Sequence, residues 1–188
     1  DPILRRPISI SLAQAEEGWF ELIYREVGRG TKMLTDMLIG QEVSVMGPLG
    51  NGFSQKGEKP LLIGGGLGIA PLIFQAYQLK QEGKILALGC RNKSEVFWEA
   101  CFEDYCTQIC ISTDDGSYGV EGNALVLLEG LEKEVDYIYT CGPGRLIEGV
   151  AQWANKHGIP CEVSLEERMG CGMGVCLACA VDTKHGRK

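Results

Sequence analysis

The chain has 188 residues, of which 45% are hydrophobic and 23% charged, a composition typical of soluble globular proteins with one or two domains. A formal net charge of −7 argues against sequence-independent binding of nucleic acid, which needs a basic surface. No apolar run reaches the roughly 18 residues needed to cross a bilayer, so membrane insertion is not expected. Nine cysteines without a recognisable secretory signal indicate a reducing compartment, and we expect the protein in the cytoplasm.

The region before residue 57 carries the patterns of short strands and turns. Alternating, β-branched and aromatic residues predict strands over 8–12, 19–24 and 42–46. Apolar residues at one-turn spacing predict a short helix over 32–38, with Thr31 as its N-cap. The turn-forming residues of 47–53 and the polar stretch behind them place a domain boundary near Gly57.

Behind this boundary the pattern changes to alternating strands and helices. Strands are predicted over 60–63, 84–88, 108–111, 137–140 and 161–165. Helices are predicted over 70–81, 95–103 and 145–156, and the apolar segment 124–128 continues the alternation. Such alternation predicts a parallel, doubly wound α/β sheet.

A glycine-rich turn follows the first strand of this predicted sheet and opens its first helix. Glycines let the backbone approach a pyrophosphate, and the N-terminus of the next helix favours its negative charge. A second glycine turn, over 141–144, is predicted to hold the opposite end of the same nicotinamide dinucleotide. Two ordinary strand-to-helix turns are the alternative interpretation. The predicted NAD-binding residues are Gly65, Gly66, Gly68, Ile69, Asp115, Cys141, Gly142 and Pro143.

The choice between NAD and NADP depends on charges that follow two of the predicted strands. The carboxylate of Asp115 would repel the 2′-phosphate of NADP, whereas Arg91 and Lys93 could accept that phosphate. We favour NAD. Cys141 would lie beside the nicotinamide, and we do not expect it to take a covalent role.

Three cysteines, Cys171, Cys176 and Cys179, have the C-x4-C-x2-C spacing of plant-type [2Fe-2S] ferredoxins. Glycines at positions 170, 172 and 174 would let the loop adopt positive φ angles. The spacing therefore predicts that the three thiolates hold a [2Fe-2S] cluster. Accidental clustering and zinc are the alternatives, and zinc prefers a second C-x2-C pair, which the chain lacks. Because a cluster normally takes four ligands, we expect the fourth beyond residue 188 and interpret the chain as a fragment.

Several motifs in this order resemble one known family along nearly the whole chain. They are Arg6-Pro-Ile-Ser9, Ile23-Tyr-Arg25 with Gly30-Thr31, and the segments 47–53, 64–71, 141–143 and 166–171. On these residues the chain resembles the electron-transfer subunits of bacterial NAD-dependent dihydroorotate dehydrogenases, within the ferredoxin-NADP reductase superfamily. The resemblance implies that FAD is bound by Arg6, Pro7, Ile8, Ser9, Ile23, Tyr24, Arg25, Gly30 and Thr31.

The resemblance also implies the domain organisation and the fold class. Residues 1–57 would form an FAD-binding β-barrel, 58–164 a doubly wound α/β NAD-binding domain, and 165–188 a small [2Fe-2S] cluster segment. Family members usually carry more of the barrel before Arg6 and a fourth cluster cysteine after Cys179. We therefore expect the barrel to be truncated at its start and the cluster segment at its end.

The function that the resemblance implies is electron transfer in pyrimidine biosynthesis. Electrons would pass between the FMN of a separate catalytic subunit and NAD, by way of the [2Fe-2S] cluster and FAD, in a heterotetramer with two copies of each subunit. No general acid or base is expected in this chain, because the orotate chemistry would occur in the partner. The alternatives are a related NAD(P)H-ferredoxin reductase or sulfide dehydrogenase subunit, and a non-enzymatic redox sensor.

Overall fold

The computed structural model describes residues 4–183 and 186–187, and they belong to two compact units. The sheet unit comprises Ser9–Ile23 and Phe53–Leu165. The cysteine-loop unit comprises Asp1–Ile8, Tyr24–Gly52 and Glu166–Lys188. No helix in the described part of the chain is long and apolar enough to cross a membrane.

The elements are numbered in chain order. The strands are β1 (Ile10–Gln14), β2 (Trp19–Leu22), β3 (Pro60–Gly65), β4 (Ile85–Cys90), β5 (Gln108–Thr113), β6 (Val120–Glu121), β7 (Tyr137–Cys141), β8 (Cys161–Ser164), β9 (Asp182–Thr183) and β10 (Gly186–Arg187). The α-helices are α1 (Arg29–Thr35), α2 (Ile69–Gln78) and α3 (Gly144–His157). Short 3-10 helices cover Gly66–Gly68, Lys93–Cys101, Ala124–Leu128 and Leu131–Lys133.

Six parallel strands form the central sheet, in the order β6-β5-β4-β3-β7-β8. The chain builds β3 to β6 outward on one side and then returns to place β7 and β8 on the other side of β3. The direction of winding therefore reverses between β3 and β7, which makes this pair the switch point of the sheet. Ligands of open α/β sheets bind outside the carboxyl ends of the strands at such a point.

Apolar side chains cover both faces of the sheet, as the continuous hydrophobic runs of its strands predict. On one face, Leu61 and Ile63 of β3 pack with residues of α3 and of the 3-10 helix Ala124–Leu128. On the other face, Leu62 of β3 packs with residues of α2. The successive residues of β3 thus alternate between two cores, and the predicted parallel sheet is confirmed.

The segment that leads into β3 is fixed to the sheet unit by polar side chains. Glu162 of β8 accepts hydrogen bonds from the Ser54 hydroxyl, from the Ser54 N–H at 2.8 Å and from the Tyr137 hydroxyl at 2.7 Å. The N–H of Lys56, two residues after Ser54, donates to the Tyr139 hydroxyl at 2.8 Å. Burial raises the pKa of Glu162, but the hydrogen bonds from Ser54 and Tyr137 outweigh it, so that the net pKa is lowered.

Before β3 the sheet unit contains an antiparallel hairpin of β1 and β2. The hydroxyl of Ser11, which is fully buried, donates to the backbone carbonyl of Glu21 at 3.0 Å. The hairpin packs against α2, where the Gln14 amide donates to the Tyr77 hydroxyl at 2.9 Å. These are the strands predicted over 8–12 and 19–24, with the first shifted by two residues.

Other predicted elements differ from the structure. The strand predicted over 42–46 is absent, because this segment pairs with no strand in the described residues and its side chains are exposed on both faces. The helix predicted over 32–38 is α1 at Arg29–Thr35, with Gly28 as its N-cap. Thr31 lies inside that helix, where its hydroxyl accepts from the Val27 N–H at 3.0 Å and the Gly28 N–H at 3.2 Å. The predicted N-cap was therefore wrong because Thr31 reaches back to the cap from the third helical position.

The segment predicted as a helix over 95–103 is a 3-10 helix at Lys93–Cys101. Its start is set by Asn92, whose side-chain oxygen accepts from the Ser94 N–H at 3.0 Å. The apolar segment Ala124–Leu128 is also a 3-10 helix, and Asn123 caps it in the same way through the Leu125 N–H at 3.0 Å. Local side-chain caps of this kind favour a tight turn at the start of a helix.

Candidate functional site

The first glycine turn lies where β3 ends and α2 begins. Gly66 has a φ of +59° and is exposed, with open space where a side chain would stand. Gly68 has no such space, because a Cβ there would overlap the backbone carbonyl of Cys141 and the N–H of Gly142. The turn therefore needs glycine at one position for its backbone angle and at another for close packing.

The second glycine turn lies at the end of β7 and packs against the first one. Gly142 has a φ of +148°, and a Cβ on it would lie 3.0 Å from the carbonyl oxygen of Gly65. Pro143 follows as the N-cap residue of α3. The structure thus brings Gly65, Gly68, Cys141 and Gly142 together at the carboxyl ends of the two switch-point strands.

Most of the residues at this switch point are buried, and Gly66 and Pro143 are exposed. Cys141 is 1% exposed and belongs to the same core cluster as Leu62 and Tyr139. Ile69, the first residue of α2, is buried in that cluster too. A ligand at these turns would therefore meet the exposed residues Gly66 and Pro143, and the Cys141 thiol is packed among apolar side chains.

Asp115, the predicted acidic NAD residue, lies in the turn after β5. Its Oδ1 accepts from the Ser117 hydroxyl at 2.5 Å and from the Ser117 N–H at 3.0 Å, and these bonds lower the pKa of Asp115. The Ser117 hydroxyl oxygen in turn accepts from the Lys93 N–H at 2.8 Å. The loops after β4 and β5 are therefore joined at the carboxyl edge of the sheet.

Glu95 is a residue of this edge that the sequence analysis did not single out. Its Oε1 lies 2.8 Å from Nε and 2.5 Å from Nη2 of Arg91, and its Oε2 accepts from the Arg91 N–H at 3.2 Å. The hydrogen bond with Glu95 and its negative charge raise the pKa of Arg91. The i, i+4 spacing of opposite charges was the sequence signal that could have found this pair.

The predicted flavin residues fall in both units. In the cysteine-loop unit, Arg6 packs against the first turn of α1, and a Cβ on Gly30 would lie 2.8 Å from Arg6 Nε. The next residue, Thr31, is buried. A guanidinium beside a turn without a side chain suits a diphosphate, which accepts bidentate hydrogen bonds from arginine.

The remaining predicted flavin residues make few contacts that bear on a ligand. Tyr24 is half-buried, and its hydroxyl lies 3.4 Å from Oγ1 of Thr35. Arg25 and Pro7 are exposed, and Ile8 is half-buried. Ser9 and Ile23 belong to the sheet unit.

The cysteine loop is organised by hydrogen bonds to sulfur. The thiol of Cys171 accepts from the Met173 N–H at 3.3 Å and from the Cys176 N–H at 3.5 Å, and Cys176 Sγ accepts from the Cys171 N–H at 3.4 Å. The N–H groups of Cys176 and Met173 lower the pKa of Cys171 to about 6. The thiolate, which is the form that binds iron, is therefore favoured at this position.

Glycines and one unusual leucine shape the same loop. Gly172 and Gly174 have φ angles of +72° and +76°, and Leu177, between the second and third cysteines, has +58°. A Cβ on Gly170 would stand 2.9 Å from Cys176 Sγ. Within residues 4–183 and 186–187, no three metal-ligating side chains are gathered as a site. The donors nevertheless fit an iron-sulfur cluster, since they are thiols with a lowered pKa at Cys171 and backbone N–H groups directed at sulfur.

Comparison with known proteins matches this loop to a defined domain. Residues 166–188 match the model of the iron-sulfur cluster binding domain of dihydroorotate dehydrogenase B. An NADH-dependent reduced ferredoxin-NADP oxidoreductase, studied for flavin-based electron bifurcation, superposes with a TM-score of 0.86 at 30% identity. That superposition covers 98% of this chain and 69% of the other. The chain thus has the fold of a ferredoxin reductase-like flavoprotein, with a parallel six-stranded sheet.

Two curated relatives give the family. The electron transfer subunit of dihydroorotate dehydrogenase B (NAD(+)) from Bacillus caldolyticus is 41% identical over 186 residues, which are 95% of this chain and 71% of the relative. The subunit of the same name from Desulforamulus reducens is 39% identical over 194 residues, covering 98% of this chain and 73% of the relative. The resemblance seen in the sequence is confirmed, and the chain belongs to the family of electron transfer subunits of dihydroorotate dehydrogenase B (NAD(+)).

Proposed function

We propose that this chain carries electrons between NAD and an FMN-containing dihydroorotate dehydrogenase subunit, by way of FAD and a [2Fe-2S] cluster. One observation carries the proposal: a single chain combines two glycine turns packed together at a sheet switch point with a loop of cysteines whose sulfurs accept backbone N–H groups. The first feature suits a dinucleotide and the second suits an iron-sulfur cluster. The family relationship supports the same assignment.

At the NAD site, one part of the two turns would bind the pyrophosphate and the other would hold the turns together. The exposed backbone of Gly66, with its open surroundings, would let the pyrophosphate approach the start of α2. Gly65, Gly68 and Gly142 would keep the two turns in contact, and Pro143 would set the start of α3. Cys141 and Ile69, both buried, are the other two residues that we propose for this site. Asp115 would lie at the adenosine end and disfavour a 2′-phosphate.

At the flavin end, Arg6 and the backbone of Gly30 and Thr31 would bind the diphosphate of FAD. The other proposed flavin contacts are Pro7, Ile8, Ser9, Ile23, Tyr24 and Arg25. We propose that residues 1–57 contribute to an FAD-binding barrel, 58–164 form the NAD-binding domain, and 165–188 form the cluster segment. The family relationship supports this division, and in the described residues the hairpin of β1 and β2 belongs to the sheet unit.

At the cluster end, Cys171, Cys176 and Cys179 would supply three thiolates. When bound, FAD would supply hydride exchange with the nicotinamide and single-electron exchange with the cluster. The chain's own residues would bind the groups, orient them and direct N–H donors at the Cys171 sulfur. We assign no general acid or base to this chain, since electron transfer between these groups requires none.

The same proposal covers the partner subunit and the cellular location. The name of the relatives, electron transfer subunit, supports a catalytic subunit as the partner. We propose two copies of each subunit in the complex and a cytoplasmic location, where nine cysteines would stay reduced.

The test is an optical spectrum of the full-length protein, purified without oxygen, before and after addition of NADH. We expect flavin and [2Fe-2S] bands that NADH bleaches, and that dihydroorotate bleaches only when the catalytic subunit is present. A protein without these bands, or one whose bands NADH leaves unchanged, would overturn the proposal. Arg6→Ala should lose the flavin bands and keep iron, whereas Cys176→Ser should lose iron and keep flavin.

A further inference from the structure

Arg91 occupies the position where a doubly wound sheet meets the ribose of a dinucleotide. It follows directly after β4, and Gly89 of that strand pairs with Gly65 at the end of β3. The β3 turn is the proposed pyrophosphate site. In this architecture the end of the neighbouring strand distinguishes a ribose 2′-hydroxyl from a 2′-phosphate, and an arginine there accommodates the phosphate. By position alone, Arg91 would favour NADP.

The structure shows that the Arg91 guanidinium is already bound. Its Nε and Nη2 both lie against Glu95 Oε1, at 2.8 and 2.5 Å, and the Arg91 N–H donates to Oε2 at 3.2 Å. One carboxylate therefore contacts both the side chain and the backbone of the arginine. The Glu95 side chain is 26% exposed, against 68% for Arg91, so the carboxylate is the better fixed partner of the two.

The backbone that carries Glu95 is fixed as well. Asn92 accepts from the Ser94 N–H through its side chain at 3.0 Å and from the Glu95 N–H through its carbonyl at 3.0 Å. These two bonds start the 3-10 helix Lys93–Cys101. The position of the Glu95 carboxylate beside Arg91 thus follows from the cap of this helix.

Lys93, the second cation at this edge, also has neighbours that compete with a phosphate for it. The ammonium of Lys93 lies 5.9 Å from the centroid of the Tyr118 ring, and the Tyr118 hydroxyl donates to Glu99 at 3.0 Å. The Lys93 N–H is bound to Ser117, which also holds Asp115. Three carboxylates, those of Glu95, Glu99 and Asp115, therefore share this edge with Arg91 and Lys93.

We propose that Glu95 determines the preference of this protein for NAD over NADP, by holding the Arg91 guanidinium away from a 2′-phosphate. The inference rests on the proposed function, in which the chain oxidises or reduces a nicotinamide dinucleotide. It gives Glu95 the role of a specificity residue, and it makes Arg91 a phosphate-binding group that the ion pair masks. Asp115, in the turn after β5, would repel the 2′-phosphate independently of Arg91.

The test compares NADH and NADPH oxidation by the complete complex with ferricyanide as electron acceptor. Glu95→Gln keeps the shape of the side chain and removes its charge, so the ratio of kcat/KM for NADPH to that for NADH should rise about tenfold, equivalent to roughly 1.4 kcal/mol. The gain should appear in the KM for NADPH, with kcat nearly unchanged, because the changed contact lies away from the nicotinamide. The double variant Glu95→Gln with Arg91→Ala should lose the gain.

Glu132→Gln is the matched control for net charge. It lies in the 3-10 helix before β7, toward the amino ends of the strands, and it should leave the ratio unchanged. An unchanged ratio in Glu95→Gln, or a gain that persists in the double variant, would overturn the inference while the proposed function stands. A wild-type complex that does not oxidise NADH would overturn the proposed function and the inference together.

Discussion

The sheet unit and the cysteine-loop unit are stabilised in different ways. In the described residues, the buried hydrophobic side chains all belong to the sheet unit, between Leu61 and Ala154. The cysteine-loop unit instead exposes apolar side chains such as Leu38, Ile39 and Val175, and its loop is shaped by glycines and by hydrogen bonds to sulfur. The comparison indicates that the sheet unit owes its stability to its own core, whereas the described residues of the cysteine-loop unit form no buried hydrophobic core.

The largest effect is expected from removing a cluster ligand. Cys176→Ser should abolish iron binding, because a hydroxyl does not replace a thiolate as a ligand of a [2Fe-2S] cluster. Iron content reports on the cysteine loop, and far-UV circular dichroism of the protein reports mainly on the sheet unit. The circular dichroism spectrum should be unchanged. Cys110→Ser, in β5 and outside the loop, is the matched control and should retain iron. Full iron content in Cys176→Ser would exclude the loop as the cluster site.

The next effect concerns the core. Leu62→Ala should lower the free energy of unfolding by about 2–5 kcal/mol, because Leu62 is fully buried and its truncation leaves a cavity. Val175→Ala in the cysteine loop, where the side chain is 78% exposed, should change it by less than about 0.5 kcal/mol. Urea unfolding followed by circular dichroism gives both values. Equal losses of unfolding free energy in the two variants would contradict the proposed difference between the two units.

A smaller effect is expected where the two glycine turns touch. Gly68→Ala should cost about 1–3 kcal/mol of stability, because the new methyl group meets the backbone of Cys141 and Gly142, which cannot rotate away. It should also weaken NADH binding, measured by calorimetry. Gly144→Ala, with no atom within 4 Å of its Cβ position, should change stability by less than about 0.5 kcal/mol. If the two alanine variants were equally stable, the close packing of the turns would not hold.

The smallest effect is expected at Glu162 and depends on pH. Glu162→Gln should cost about 0.5–1 kcal/mol at pH 7, after allowance for solvent screening of a half-buried carboxylate that accepts from Ser54 and Tyr137. Because the folded pKa of Glu162 is lowered, its contribution is present above the pKa of the unfolded state and is lost as the pH falls through the folded pKa. Denaturation at a series of pH values should show the two proteins converging in acid. A difference that grew as the pH fell would have the wrong sign.

The sheet was predictable because its strands carry a strong pattern. The apolar runs at β3, β4 and β7, separated by helices and followed by glycines, predict a parallel sheet, whereas the strand order and the switch point come from the structure. The position of both glycine turns at the carboxyl ends of strands was predictable for the same reason. The packing of Gly68 against Cys141 was not, because it depends on atoms from two distant parts of the chain.

Less of the region before β3 could be predicted. Alternation over 42–46 indicated a strand, but a strand exists only if another strand pairs with it, and pairing is a property of the fold. The true start of α1 depends on the reach of the Thr31 hydroxyl to Gly28, and helix boundaries are set by such local bonds. The i, i+4 spacing of Arg91 and Glu95 was visible in the sequence, but the 3-10 turn at Asn92 that accompanies their contact was not.

The most direct test of the central claim is NADH formation from dihydroorotate and NAD by the complex of this chain with its catalytic subunit. With the wild-type chain we expect NADH to form. With Cys176→Ser we expect dihydroorotate oxidation to continue when an artificial acceptor is supplied to the catalytic subunit, and NADH formation to stop. NADH formation at the wild-type rate with Cys176→Ser would contradict the claim that electrons cross this chain through its cysteine loop.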